Sequence, residues 1–149
     1  MIDGVIIKPI QKIPDERGCI FPMLRSDSPE FKGFGEIYFS LVYPSVIKGW
    51  HLHHTMTLSY AVVCGMIKLV LFDVRDSSPT KGEIQEIFTG DMKYALIQIP
   101  PFIWNGFKGI SSPYAIVANC STHPHSSDEI ERLDPFSKEI PYDWSLKNG

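Results

Sequence analysis

The chain is interrupted by turn-forming residues throughout and shows no sustained helical spacing, and this limits its fold most strongly. Within 149 residues, 12 prolines and 11 glycines are spread evenly rather than clustered. They cut the sequence into short apolar runs, several of them β-branched or aromatic and partly alternating, such as Glu36-Ile37-Tyr38-Phe39-Ser40. The pattern predicts strands over 5–8, 19–24, 36–43, 46–50, 58–64, 66–73, 84–88, 95–99, 104–107 and 114–119. Cys64-Gly65 marks a tight turn or bulge, and the polar run 76–82 a loop. The best helical candidate is 127–133, with a leading Ser and early acids but ending before Asp134-Pro135; it predicts one short turn at most. Some ten short strands without a linker or repeat predict a single all-β domain over 1–149, built as a sandwich, jelly roll or barrel. Small β-barrels hold ligands on inward-facing side chains, so function is expected there.

Composition narrows the function classes. Lys plus Arg is 14 against Asp plus Glu at 17, a net charge of −3, which disfavours nucleic-acid binding through bulk charge but leaves room for a local phosphate pocket. Cys19, Cys64 and Cys120 are odd in number, widely spaced and without CxxC, as expected of reduced thiols in the cytoplasm. The start MIDGVIIKPIQK carries an early Asp3 and no apolar secretory region. The longest apolar stretch, 60–72, is interrupted by Lys68 and is too short to span a bilayer. No partner membrane is therefore expected.

Chemistry concentrates in Gly49-Trp50-His51-Leu52-His53-His54. On a strand, His51 and His53 point to the same face. Paired imidazoles suit a metal in a β-barrel, but such a site needs a following Glu and a second-half His. The stretch 55–65 has no carboxylate, and Asn105 stands at the second-half position, so no metal is expected. His53 and His54 fit equally well as polar or half-exposed residues without chemistry. His123-Pro124-His125 reads by itself as a surface loop, and no phosphate-loop, dinucleotide or serine-nucleophile motif occurs.

Four segments in order carry a resemblance: Asp15-Glu16-Arg17-Gly18; Val46 to His51, reading VIKGWH; Gly65 to Gly82, reading GMIKLVLFDVRDSSPTKG; and Ile99 to Phe107, reading IPPFIWNGF. Together with Leu133-Asp134-Pro135 and Tyr142-Asp143-Trp144, they resemble the dTDP-4-dehydrorhamnose 3,5-epimerase family of cupins over about residues 14–144. The resemblance implies a cupin jelly roll, a homodimer, no metal and no cofactor. It also implies a nucleotide-diphosphate sugar as ligand, with a 4-keto-6-deoxyhexose as the reacting part. A C4 ketone acidifies the C3 and C5 protons; a base removes one, an enolate forms, and an acid returns a proton to the other face.

On the family pattern His51 is the base and Arg17 binds the diphosphate. Lys48 stands where the family has Arg, and Phe21 matches the aromatic near the base. The departures are equally specific. The family's Lys falls on Leu58, its second-half His on Asn105, and its proton-donating Tyr near Thr122 or His123. The carboxylate that orients its His falls beyond the tail Trp, past Gly149. Its nucleotide-side Gln and Asn fall on Glu36 and Tyr38. His123 is taken as the second catalytic residue, with Tyr60 as the other available acid. Arg17, Phe21, Glu36, Tyr38, Lys48, His53 and Asn105 form the expected substrate-binding set. With the Lys and Tyr absent, epimerisation is expected at one carbon only. A catalytically silent sugar-nucleotide binder and a 3,4-ketoisomerase remain as alternatives, the latter because His51 and His53 are paired.

Overall fold

In a computed structural model, which describes residues 1–147, the chain forms twelve strands: β1 Ile6–Pro9, β2 Ile13–Asp15, β3 Gly18–Ile20, β4 Glu36–Val42, β5 Ile47–His53, β6 Leu58–Cys64, β7 Met66–Asp73, β8 Ile84–Gly90, β9 Ala95–Ile99, β10 Ile103–Gly109, β11 Ala115–Ser121 and β12 Ile130–Arg132. Two five-stranded sheets run in the orders β1-β9-β6-β11-β4 and β12-β5-β10-β7-β8, and β2-β3 stands apart as a hairpin. Every named strand pairs antiparallel with its neighbours. Of the sandwich, jelly roll or barrel that the punctuated sequence predicts, this is the jelly roll that the resemblance implies.

Inward alternation fills the space between the sheets with Val42, Leu58, Val62, Ile67, Leu69, Leu71, Ile97, Ile99, Ile103 and Val117, all essentially inaccessible. A second cluster lies on the outer face of the second sheet, where Trp50, Leu52, Val70 and Trp104 are covered by Ile140 and Trp144 from the tail. Strand β5 thus serves two layers: Trp50 and Leu52 face the tail, while His51 and His53 face inward.

The predicted strand over 19–24 shortens to Gly18–Ile20 within an exposed hairpin. The one short turn expected within 127–133 is present as a single 3₁₀ turn, Ser127–Glu129. The strand that follows it, β12, is not foreseen: the backbone of Ile130, Glu131 and Arg132 pairs with His53, Leu52 and His51. Tertiary pairing decides that segment against its local propensity.

The segment DVRDSSPTKG closes the β7–β8 connection around one buried carboxylate. Asp73 is fully buried and accepts from Arg75 Nε at 2.9 Å, Arg75 Nη2 at 2.7 Å, Ser78 Oγ at 2.6 Å, Thr80 Oγ1 at 2.7 Å and the Arg75 amide at 3.1 Å. Burial alone raises a carboxyl's affinity for its proton, but these five donors outweigh it and hold Asp73 well below the usual carboxylate range. The residues most specific to the resemblance therefore build a turn.

Candidate active site

A cleft opens between the two sheets at the end where β5 meets β12. One part, about 270 Å³, is lined by Glu36, Tyr38, His51, His53, Met56, Tyr60, His125, Ile130 and Arg132. It continues past the shared residues Tyr38, His51 and Tyr60 into a chamber of about 80 Å³ bounded by Ser40, Lys48 and Asn119. A larger hollow of about 390 Å³ lies on the outer face of the second sheet among Lys68, Glu86, Lys108 and Trp144. It lacks a histidine and sits away from the inward-facing groups, so the smaller cleft is the candidate active site.

A bulge aligns the basic residues. Asn105 pairs with His51 and Phe107 with Lys48, so β5 carries one residue more than β10 between those pairs. The extra residue brings Lys48 onto the cleft side with His51, although three positions separate them. Glycine makes this crossing possible: a Cβ on Gly49, whose φ is +156°, would lie 2.6 Å from Gly106 Cα. Both glycines belong to the recognisable motifs. Lys48 Nζ donates to Ser40 Oγ at 2.9 Å across the chamber.

The two histidines are treated differently. Burial, reinforced by the positive charge of Arg132 and by His53, lowers the His51 pKa to about 4, so the imidazole is neutral at pH 7. His53 is buried, and its Nδ1 bonds Glu129 Oε1. Burial pushes the Glu129 carboxyl up, yet bonds from His53 and from the Thr55 and Met56 amides more than offset this and hold it below its ordinary value. Glu129 is therefore ionised and accepts, so His53 Nδ1 carries a proton and Nε2 is the nitrogen left for the cleft. His54 turns outward to Glu131 at 2.6 Å and stacks on Phe102.

The opposing sheet supplies two phenols. Tyr60 on β6 donates to Asn105 Oδ1 at 3.3 Å, and Asn105 Nδ2 donates to the His51 carbonyl at 2.9 Å. Burial, with Tyr38 alongside, pushes the Tyr60 phenol far up. Tyr38 on β4 lies opposite Asn119 on β11 and accepts from its Nδ2 at 3.0 Å.

The structure gathers Glu36, Tyr38, Lys48, His51 and His53 around the cleft and places Asn105 just behind it. Arg17, Phe21 and His123 are not among the residues lining it. Arg17 tips the β2-β3 hairpin, bonded to Asp15 with its side chain 84% exposed. Phe21 packs edge-on against Tyr94 and under Lys12, so the expectation that it lies beside the base does not hold within this chain. His123 is exposed and bonds Thr122 Oγ1 at 2.9 Å; His125 lines the cleft instead. Glu36 Oε2 accepts from the His125 amide at 2.8 Å, which fixes that loop. The family's His-orienting carboxylate was expected past Gly149, outside the described residues. Glu129 and Arg132 were not anticipated: nothing local marks them, and only the β12–β5 pairing brings them to the histidines. Among the described residues no group of three or more His, Cys, Asp or Glu converges as a metal site would.

The family model of dTDP-4-dehydrorhamnose 3,5-epimerase matches residues 1–148. The chain belongs to this family of nucleotide-sugar epimerases. It is 32% identical over 145 residues to a Haloferax volcanii protein named "Probable low-salt glycan biosynthesis epimerase Agl13", covering 95% of this chain and 89% of that protein. It is 31% identical over 143 residues to the spore coat polysaccharide biosynthesis protein SpsL of Bacillus subtilis, covering 96% and 91%. The crystal structure of a dTDP sugar isomerase from Desulfovibrio desulfuricans superposes with a TM-score of 0.94 at 40% identity, covering 99% of this chain and 94% of that one. That of dTDP-4-dehydrorhamnose 3,5-epimerase from Sulfolobus tokodaii gives 0.83 at 25% identity, covering 97% and 83%. Among the described residues no helix is long and apolar enough to cross a membrane.

Proposed function

We propose that the protein epimerises a nucleotide-diphosphate-linked 4-keto-6-deoxyhexose at one carbon, C3 or C5, through an enolate. The observation that carries this reading is the position of His51: a half-buried, neutral imidazole on the family's base position, facing a cleft whose opposite wall holds phenols. Neutral imidazole accepts the carbon-bound proton, and Lys48 and Arg132 at the cleft supply charge for the diphosphate. The names of the Haloferax and Bacillus relatives support a place in polysaccharide sugar biosynthesis. Three free cysteines agree with a reducing cytoplasm.

The proposal includes a homodimer. Arg17 meets no cleft residue of its own chain, and Ile13 and Ile20 beside it are exposed. The edge strand β4 turns Ile37, Phe39 and Leu41 outward, with Tyr43 just beyond it, while Glu36, Tyr38 and Ser40 face the cleft. A second copy covering that face would bring the Arg17 hairpin to the neighbouring cleft. Light scattering that finds a monomer at micromolar concentration would refute this part.

The test of function is product identity. Incubation with a dTDP-4-keto-6-deoxyhexose, followed by NMR, is expected to show inversion at a single carbon. A ketone moved to C3 would establish the ketoisomerase alternative, and unchanged but bound sugar would establish a silent binder.

A further inference from the structure

Epimerisation needs two proton-transfer groups on opposite faces of the sugar. His51 stands on the second sheet, and the acid must therefore come from across the cleft. His123, at the position the motifs assign to the family phenol, does not line the cleft. Tyr38 and Tyr60 do, and both come from the opposing sheet.

The two phenols are not equivalent. Tyr60 has committed its proton, because its hydroxyl donates to Asn105 Oδ1, and complete burial disfavours the phenolate it would become. The Tyr38 oxygen instead accepts from Asn119 Nδ2. The orientation of that amide is fixed, since Asn119 Oδ1 accepts from the Ser59 amide at 3.1 Å. The backbone register sets Asn119 directly opposite Tyr38, so the anchor comes from the adjacent strand. Tyr38 therefore receives a hydrogen bond that stays in place when its oxygen turns anionic, and its own proton has no acceptor among the described residues. Its ring borders both the large and the small part of the cleft, as His51 does.

We propose that Tyr38, anchored by Asn119, is the proton donor opposite His51. This rests on the epimerase reading above. His51 takes the proton from the carbon beside the C4 ketone; the C–H pair forms the C=C bond of the enolate, and the carbonyl π pair moves to O4. As the ketone reforms, the C=C pair takes the Tyr38 hydroxyl proton on the other face, leaving a phenolate and an imidazolium. Transfer of one proton from His51 to Tyr38 through solvent restores both groups, with no oxidant or further reactant.

The experiment compares Tyr38→Phe, Tyr60→Phe and wild type in heavy water with a dTDP-4-keto-6-deoxyhexose, reading deuterium at the reacting carbon and inversion separately. Tyr38→Phe is expected to lose about 10²–10⁴-fold in inversion, the scale of a general acid. It is expected to keep deuterium wash-in into the uninverted sugar within a few-fold, because His51 still removes the proton and returns a deuteron to the same face. Tyr60→Phe must retain more inversion than Tyr38→Phe. Inversion at the wild-type rate in Tyr38→Phe, the reverse ranking of the two variants, or parallel loss of wash-in and inversion in folded Tyr38→Phe would overturn the assignment. Wild type that neither exchanges nor inverts would overturn the epimerase reading and this assignment with it.

Discussion

Two regions bury polar side chains on this scaffold, and they do so in opposite ways. Around Asp73, five donors from Arg75, Ser78 and Thr80 meet one carboxylate, all of them within the β7–β8 turn. At the cleft, His51 is desolvated without a carboxylate, Tyr38 keeps its proton unspent, and His53 offers Nε2 after Glu129 has taken Nδ1. A satisfied network specifies structure; inward groups left partly unsatisfied are available to a ligand. The stretch most diagnostic of the family thus builds a turn, while the candidate site takes its groups from other strands.

Removing a group from each region gives opposite results. His51→Asn is expected to lower kcat/KM by about 10²–10⁴-fold, the general-base contribution, while circular dichroism and the melting temperature stay close to wild type. Asp73→Ala should do the reverse. Stripping a buried ion pair of one partner costs about 3 kcal/mol. For a domain of this size that is a fall of about 6–12 °C in Tm, with kcat per folded molecule unchanged. If Asp73→Ala abolishes turnover in fully folded protein, the separation of the two regions fails.

Smaller effects sharpen the contrast. Lys48→Gln removes a charge from the chamber and is expected to raise KM about 10–100-fold, the worth of a charged hydrogen bond, with a smaller change in kcat. The two regions should also respond at different pH. His51 acts only when neutral, so the acid limb of kcat/KM in the free enzyme should lie well below the ordinary imidazole value of 6.5, toward about 4. For stability, the unfolded chain protonates this imidazole near 6.5 and the folded chain near 4, so the unfolded state holds more protons between them. Stability therefore falls as pH drops through that window, and His51→Asn should flatten the slope in urea melts. The Asp73 contribution is present above its ordinary value of 3.8 and is lost only as pH falls below it.

The strands of the two sheets were legible because their alternation is strong; 58–64, 66–73 and 95–99 match the structure residue for residue. Strand β12 was not, because its three residues are strand only by pairing with β5. His51, His53 and Lys48 were legible through motif and period as the residues that line the cleft. The bulge that turns Lys48 to the cleft was hidden, since it depends on Gly49 and Gly106 meeting across strands far apart in sequence. Glu129 is 76 residues from His53, and nothing in Ser127-Asp128-Glu129 separates a ligand of histidine from an ordinary turn. Arg17 was recognised by its motif, but its distance from the cleft follows from the hairpin's standing apart from both sheets.

The central claim, that the His51 cleft enolises a 4-keto sugar, is tested most directly by solvent exchange. A dTDP-4-keto-6-deoxyhexose is incubated in heavy water with wild type, His51→Asn and Asp73→Ala, and deuterium at C3 and C5 is read by NMR. The account predicts deuterium at one carbon with wild type, none above background with His51→Asn, and wild-type exchange per folded molecule with Asp73→Ala. Binding of the sugar nucleotide by wild type without deuterium at either carbon would contradict it.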